Sequence, residues 1–367
     1  MTLPDILRTV RWMVRDTVRQ SIATKLFWVM LAVTLTATAF CLSVRVYGDE
    51  APKRLEYEVP AVLPEEEVIR LGFEQMKAEG KLPDAMPKPG TAEYEKLWDQ
   101  AWQKGSAKAK NDGVRVISGR VTFGFGAASA PLGRNRTDAV RYLQVLLAGF
   151  VGDTIGVLLA LLWTAGFLPT FLEPQSATVL LAKPAPRWAV LLGKYLGVVL
   201  FVGLQAFAFV GLTWLALGIS AGVWDGGYLL AVPLLVINFA VFYAVSAFLA
   251  VWTRSTVASA FGVLLFWILC WAVNYTHHRM IAYPPAGIAD GSSLLLDIGY
   301  WILPKPLDLG GIFYDAMRAD GFVGQVPELQ KVQEAGKFFP WLSVLADGLF
   351  ALVTLGLAAY EFEQTDY

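Results

Sequence analysis

The stretch Gly166–Gly197 limits what the rest of the chain can be. It reads GFLPTFLEPQSATVLLAKPAPRWAVLLGKYLG. A long apolar run ends at Pro169, and a polar, small-residue segment follows with Glu173, Lys183, Pro184, Pro186 and Arg187 in it. A second apolar run then opens, with Gly193, Lys194 and Gly197 in its first turns. A helix needs roughly 20 mostly apolar residues to cross a bilayer. Within hydrocarbon the backbone must satisfy its own hydrogen bonds, so runs of this length read as helical spans. A short basic loop between two spans belongs on the cytoplasmic side. The remaining topology is counted outward from that loop.

Apolar runs at Leu26–Val44, Leu143–Phe171, Trp188–Leu217, Tyr228–Trp252, Val257–Val273 and Leu342–Tyr360 make six candidate spans. Composition agrees: 56% of the 367 residues are hydrophobic and 17% charged, where soluble domains carry about 25% charge. The turn Thr253-Arg254-Ser255-Thr256 holds a basic residue and is assigned inside, whereas the connection holding Asp225 has none and is assigned outside. Both termini then fall on the cytoplasmic side of a cell (inner) membrane. The fold class is an all-α polytopic membrane protein. A net charge of −1 lends no support to nucleic-acid binding. Cys41 and Cys270 both sit inside apolar runs and read as small hydrophobes.

Around the spans the chain divides as follows. Residues 1–25 form an amphipathic interfacial helix: Arg8, Arg11, Arg15 and Arg19 share one face, with Leu3, Ile6, Leu7, Val10, Met13 and Val14 opposite. Residues 26–44 are the first span. Residues 45–142 read as an extracytoplasmic α+β insertion. Its expected elements are a strand at Arg54–Val59, a helix at Pro64–Glu79, a helix at Thr91–Lys110 capped by Thr91, and a strand at Val114–Phe125. Residues 143–275 hold spans two to five, with the loop at 172–187. Residues 276–341 form a second outward segment, in which Leu294–Leu303, bounded by Pro304 and Pro306, is too short to span and suits a re-entrant or interfacial helix. Residues 342–367 are the last span and a cytoplasmic tail.

Motifs for chemistry are missing. No phosphate-cradling GxxxxGK[ST] occurs: Gly193-Lys194 is followed by Tyr195, and Gly80-Lys81 by Leu82. There is no HExxH and no GxSxG. The only two histidines, His277 and His278, are adjacent, so on a helix they point about 100° apart and make a poor shared metal site. No catalytic residue, metal site or cofactor is expected. Asp153 lies in the outer part of the second span, either level with the headgroups or as a functional intramembrane carboxylate. Gly152 and Gly156, and again Gly193 and Gly197, make small-xxx-small faces suited to close helix packing. Ser176–Ala182, closed by Lys183-Pro184 and Pro186, reads either as a short helix across the inner mouth of two spans or as an ordinary orienting loop.

On these residues the sequence resembles the ABC-2 type transporter permeases. Within them it is similar to the branch holding the membrane subunit of nitrous-oxide-reductase maturation transporters. The matching positions are Glu173, Ser176, Leu180, Leu181, Lys183, Pro184, Arg187, Leu191, Leu192, Gly193, Lys194 and Gly197; Gln175 stands where the family usually has glycine. The resemblance extends to the N-terminal helix, the six spans and the proline-containing segment Leu303–Asp308, and leaves out most of the insertion. It implies a permease subunit that dimerises with itself or a second permease among membrane lipids, and that moves an unidentified substrate, by export. A separate ABC ATP-binding subunit would bind the ATP and dock on a coupling helix at 172–187, through Glu173, Ser176, Lys183, Pro184 and Arg187. The turn at Arg254 would be a smaller second contact. Two rival readings remain: a membrane-anchored sensor or assembly scaffold with a ligand-binding ectodomain, and an ion-coupled transporter using Asp153. The second is weakened because no inverted repeat is evident.

Overall fold

The computed structural model describes residues 3–47, 62–63, 65–83, 87, 91–111, 115–116, 119–132, 136–171, 186–284, 290–319 and 327–364. Five helical runs are each long and apolar enough to cross a bilayer: Arg136–Pro169, Arg187–Ala221, Gly226–Thr253, Thr256–Ala282 and Pro340–Gln364. A sixth is made if α1 (Leu3–Ala23) and α2 (Lys25–Ser43), which meet at a 68° bend, count together as one span. Arg8, Arg11, Arg15 and Arg19 of α1 are all exposed, as an interfacial helix requires. The class expected from sequence, an all-α polytopic membrane protein with a small α+β insertion, is the class observed.

The chain divides into two compact units, one holding Met1–Thr38, Tyr142–Trp214 and Asp225–Tyr367 and the other Ala39–Arg141 and Leu215–Trp224. The run from Arg136 comprises α5 (Arg136–Val145), a π-helical stretch Leu146–Gly156, α6 (Val157–Thr164) and the short α7 (Phe167–Phe171). At the end of the π-helical stretch the Val157 backbone N–H donates to the Gly152 carbonyl, five residues back, where an α-helix would bond at four. The long α8 follows (Arg187–Ala221), then α9 (Ala231–Thr253), α10 (Thr256–Ala282) and, last in the chain, α14 (Pro340–Gln364).

The central span is α9. Its most apolar window is 72% buried, against 17% for α10 and 22% for α14, so α9 is largely enclosed by the other helices while those two are mostly exposed. Phe239 and Tyr243 stack along it at 5.2 Å, Tyr195 of α8 stacks on Tyr243 at 5.5 Å, and the Tyr195 hydroxyl donates to the Ala240 carbonyl at 2.8 Å. The stack gives α9 and α8 a fixed lateral register, because offset aromatic pairs tolerate little sliding.

One boundary differs clearly from the hydropathy reading. Helix α10 continues to Ala282 rather than stopping at Val273. The polar residues Asn274 and His278 that ended the apolar run are themselves buried, and their hydrogen-bond partners on other helices make the extra turns stable. Beyond α10 lie α11 (Asp290–Ile302), α12 (Pro306–Ala316) and α13 (Pro327–Glu334). Only the first was evident from sequence. Pro306 opens α12 as a first-turn proline, a position where its missing N–H is harmless. On the flank, α13 is held to α10 by Tyr275, whose hydroxyl donates to Glu328 at 2.9 Å.

The second unit holds the insertion. Strands β1 (Arg45–Tyr47), β4 (Gly119–Phe123) and β5 (Ala128–Leu132) form an antiparallel sheet in the order β1-β4-β5, with Arg45 opposite Thr122 and Gly119 opposite Leu132. Strands β2 (Val62–Leu63) and β3 (Arg115–Val116) make a short parallel pair. Where the sequence suggested one strand over Val114–Phe125, the structure has β3 and β4 separated; Arg54–Val59 falls outside the described residues. Ser43 ties the hairpin to the end of α2, its hydroxyl accepting from the Gly124 N–H at 3.2 Å.

Helices α3 (Glu65–Ala78) and α4 (Ala92–Asn111) pack around Ile69, Met76 and Ala101. The Thr91 hydroxyl accepts from the Tyr94 N–H at 3.3 Å and so caps α4. The two backbones approach so closely that a Cβ at Gly72 would stand 1.8 Å from the Ala101 carbonyl oxygen, and one at Gly105 would stand 1.9 Å from that of Val68. Gly72→Val is therefore expected to separate α3 from α4 and to destabilise the insertion by about 3 kcal/mol. Hydrogen exchange on the full chain should show faster exchange across 65–111 and unchanged exchange in α9; unchanged protection of 65–111 would contradict the close packing.

Candidate functional site

Among the described residues of the first unit, the candidate sites are built mainly at three places. The first is the set of helix ends around the 172–185 segment. Helix α9 stops at Arg254, whose backbone is left-handed (φ 53°) and whose N–H donates to the Ala250 carbonyl at 2.9 Å. Ser255 then starts α10 at once, its hydroxyl accepting from the Ala258 N–H at 3.3 Å. The result is a tight, doubly capped turn between two spans. Just before the segment, Gly166 faces the Thr256 side chain, 3.3 Å from where a Cβ would stand. Just after it, Arg187 opens α8 and its guanidinium donates to the Glu363 carbonyl, near the end of α14, at 3.4 Å. Both flanks of the segment thus rest on other span ends. Glu173, Gln175, Ser176, Lys183 and Pro184 lie outside the described residues.

The second place is the seat of α1. A Cβ at Gly193 would stand 2.7 Å from that of Met13, and one at Gly197 would stand 2.6 Å from that of Thr17. The Gly193/Gly197 face is therefore occupied by α1, with Met13, Thr17 and Ser21 buried. Lys194, between the glycines, is 4% exposed and donates to the Gln20 side chain of α1 at 2.8 Å. Its ammonium is therefore held against this helix. The apolar residues read as the covered face of α1 divide: Met13 is buried, but Leu7 is 61% exposed.

Gly152 and Gly156 sit differently. A Cβ at Gly152 would meet Leu235 at an ordinary 3.4 Å, and the only neighbour of one at Gly156 is the Val151 carbonyl of its own π-helical turn. They leave space rather than closing it: with Val33 of α2 and Gln205 and Phe209 of α8 they line an apolar cavity of about 150 Å³. Asp153, between them, accepts a hydrogen bond from the Asn238 amide of α9 at 2.6 Å. It borders a small cavity of about 20 Å³ lined by Gly149, Leu234 and Phe313.

The third place was not singled out from the sequence. The Asp308 carboxylate of α12 is fully buried and accepts four hydrogen bonds. Asn274 (3.1 Å) and His278 (2.7 Å), both of α10, donate to Oδ1. Tyr300 of α11 (2.6 Å) and Ser343 of α14 (2.5 Å) donate to Oδ2. All four lone-pair sites of the ionised carboxylate are then filled. Beside it the Lys305 N–H donates to Asp347 of α14 at 3.0 Å, and the ammonium stands 4.0 Å from the same carboxylate. Burial alone would raise the Asp308 pKa, but the hydrogen bonds from His278, Ser343 and Tyr300 outweigh it and hold it below the ordinary carboxylate range. A signal was present in the sequence: Asn274/His278 and Ser343/Asp347 are polar pairs four apart, each placing two polar groups on one face of an apolar helix. Among the described residues no group of three or more His, Cys, Asp or Glu is placed to hold a metal.

These features define a polytopic helical membrane protein. The chain belongs to the family described as ABC-2 family transporter protein, whose model matches residues 12–279. That description names the family as a whole and no branch within it. No curated protein and no solved structure matches the chain.

Replacing Asp308 by Ala strands four buried donors, and is expected to cost about 3–5 kcal/mol. Because the folded carboxyl is held low, its contribution is complete above the unfolded value of about 4 and is lost as the pH falls through the folded value. Melting of the detergent-solubilised chain should show a lowered transition for Asp308→Ala that converges on wild type in strong acid. A wild-type melting curve at neutral pH would show that the cluster is not stabilising.

Proposed function

We propose that this chain is the membrane-spanning permease subunit of an ABC transporter, exporting its substrate on the energy of a separate ATP-hydrolysing subunit docked at residues 172–187. Family membership supports the class. The observation that carries the coupling role is the seating of the segment's two flanks, Gly166 against Thr256 and Arg187 against Glu363. A partner that pushes on the loop pushes at once on the end of the second span, the start of α8, the 253–256 turn and the end of α14. Closure of the partner on ATP then biases a two-state arrangement of the spans, a ligand acting where it makes no contact. In this reading Glu173, Ser176, Lys183, Pro184 and Arg187 form the principal docking contact and Arg254 a lesser one.

The reading has the transporter as a dimer of permease subunits in the cell membrane, with both termini cytoplasmic and the insertion outside. The ATP site belongs to the partner, so the isolated chain hydrolyses nothing. Charge reversal tests the assignment. Glu173→Lys and Arg187→Glu should still insert and still copurify dimeric permease, while substrate-stimulated hydrolysis by the partner falls by roughly tenfold, inside the usual range of coupling energies. Wild-type stimulation in both variants would remove the coupling role from this loop.

A further inference from the structure

A cavity of about 540 Å³ lies wholly within the second unit, and its lining differs in kind from the apolar cavity among the spans. Arg45 and Arg136 both line it, with Tyr47 and Ser220 beside them and the side chains of Leu42 and Ile219 as its apolar part. Among the described residues it has no carboxylate in its lining. Its position follows from chain order. Leu42 is in the last turn of α2, Ile219 and Ser220 are in the last turns of α8, and Arg136 is the first residue of α5. Three spans end around it, so the cavity stands where hydrocarbon gives way to water.

A lone arginine at that depth would ordinarily extend its head to the interface. Arg136 is instead set in place. Its Nη2 lies 2.7 Å from where a Cβ on Gly222 would stand, and Gly222 has a left-handed backbone (φ 70°) that favours glycine in its own right. The Arg136 Nε is buried and has no hydrogen-bond partner among the described residues. Ser220, by contrast, is satisfied, its hydroxyl donating to the Cys41 carbonyl at 2.9 Å. Two guanidinium groups in one cavity, one with a buried donor unused and neither facing a carboxylate in the lining, are matched by an oxyanion that can accept several forked N–H donors at once.

We propose that this cavity binds a phosphate oxyanion through Arg45 and Arg136, presented either by an anionic phospholipid headgroup or by soluble phosphate. For the lipid source, Leu42 and Ile219 lie along the adjoining acyl chains, with Ile219 71% exposed. The site is independent of the coupling role at 172–187 and of the direction of transport.

The test uses the full chain. It is reconstituted in nanodiscs of phosphatidylcholine with or without phosphatidylglycerol, and retained lipid is counted by native mass spectrometry. In parallel it is melted in detergent with inorganic phosphate or with chloride of equal ionic strength. A lipid site gives preferential retention of phosphatidylglycerol; a soluble-phosphate site gives a rise in melting temperature with phosphate and not with chloride. Either effect should weaken by about tenfold in the Arg45→Gln/Arg136→Gln double variant. Arg136→Lys, which keeps the charge but loses the fork, should fall between. If the double variant does not fold, Arg45→Gln alone, at an exposed position, must still reduce retention or the phosphate shift. Equal retention of both lipids with no phosphate shift in the wild type overturns the proposal. Full preference persisting in Arg45→Gln overturns it as well.

Discussion

Inside a bilayer a polar group without a partner has no water to turn to, and this constraint organises the first unit. Apolar packing alone cannot join helices there, because lipid tails are as apolar as leucine side chains. The helices are joined instead where polar groups meet or where small residues let backbones close in. Asp308 connects α10, α11, α12 and α14 through four donated hydrogen bonds. Lys305 and Asp347 repeat the device one turn away. The bond between Asn238 and Asp153 does the same for α9 and the π-helical stretch. Around these points α9 is almost wholly enclosed, and the outer spans can present leucine, isoleucine and tryptophan to lipid without loss.

The same constraint explains how much was legible in the sequence. Hydropathy reports the average over a window, so the spans were evident, and so was the change of character at 45–142. It misplaces boundaries wherever a polar residue is buried and paired. Asn274 and His278 ended the apolar run yet continue the helix, because Asp308 lies across from them. Helix α12 was hidden because Asp308 and the prolines around it look like loop chemistry until their partners are known. Strands β1 and β5 are too short for an alternating pattern: β1 has three residues, and β5 opens with small ones, Ala128 and Ser129. The π-helical stretch left no trace, since a one-residue change in hydrogen-bond reach does not alter composition.

Glycines carry information of two opposite kinds here, and spacing alone does not separate them. Gly193/Gly197 and Gly152/Gly156 share the same four-residue interval. The first pair receives Met13 and Thr17 of α1 at distances where any side chain would collide. The second meets no other helix closely and borders a cavity. The difference lies in what faces the helix, which depends on tertiary structure: α1 needs a shallow seat for Met13, Thr17 and Ser21, whereas the π-helical stretch turns its glycines toward space. The candidate coupling residues show a parallel limit. The sequence marked Arg187 by motif and charge and Arg254 by charge, but it did not reveal that Arg187 reaches the end of α14 or that Gly166 faces the Thr256 side chain.

That arrangement bears on how a push at 172–187 could travel. A loop attached only to its own two helices would tilt those helices and little else. Here the flank at Gly166 bears on α10 and the flank at Arg187 on α14, and both of these helices are tied again, near their other polar ends, through Asp308. A load applied at one end is therefore resisted at a second point along the same helices. Two helices held at two separated points move as a lever rather than bending locally, provided the joint between them is rigid. A carboxylate with all four acceptor sites filled is such a joint, because any rotation of α10 relative to α14 must break at least one charge-assisted hydrogen bond. The buried cluster thus gives the small contacts at the loop flanks something firm to work against.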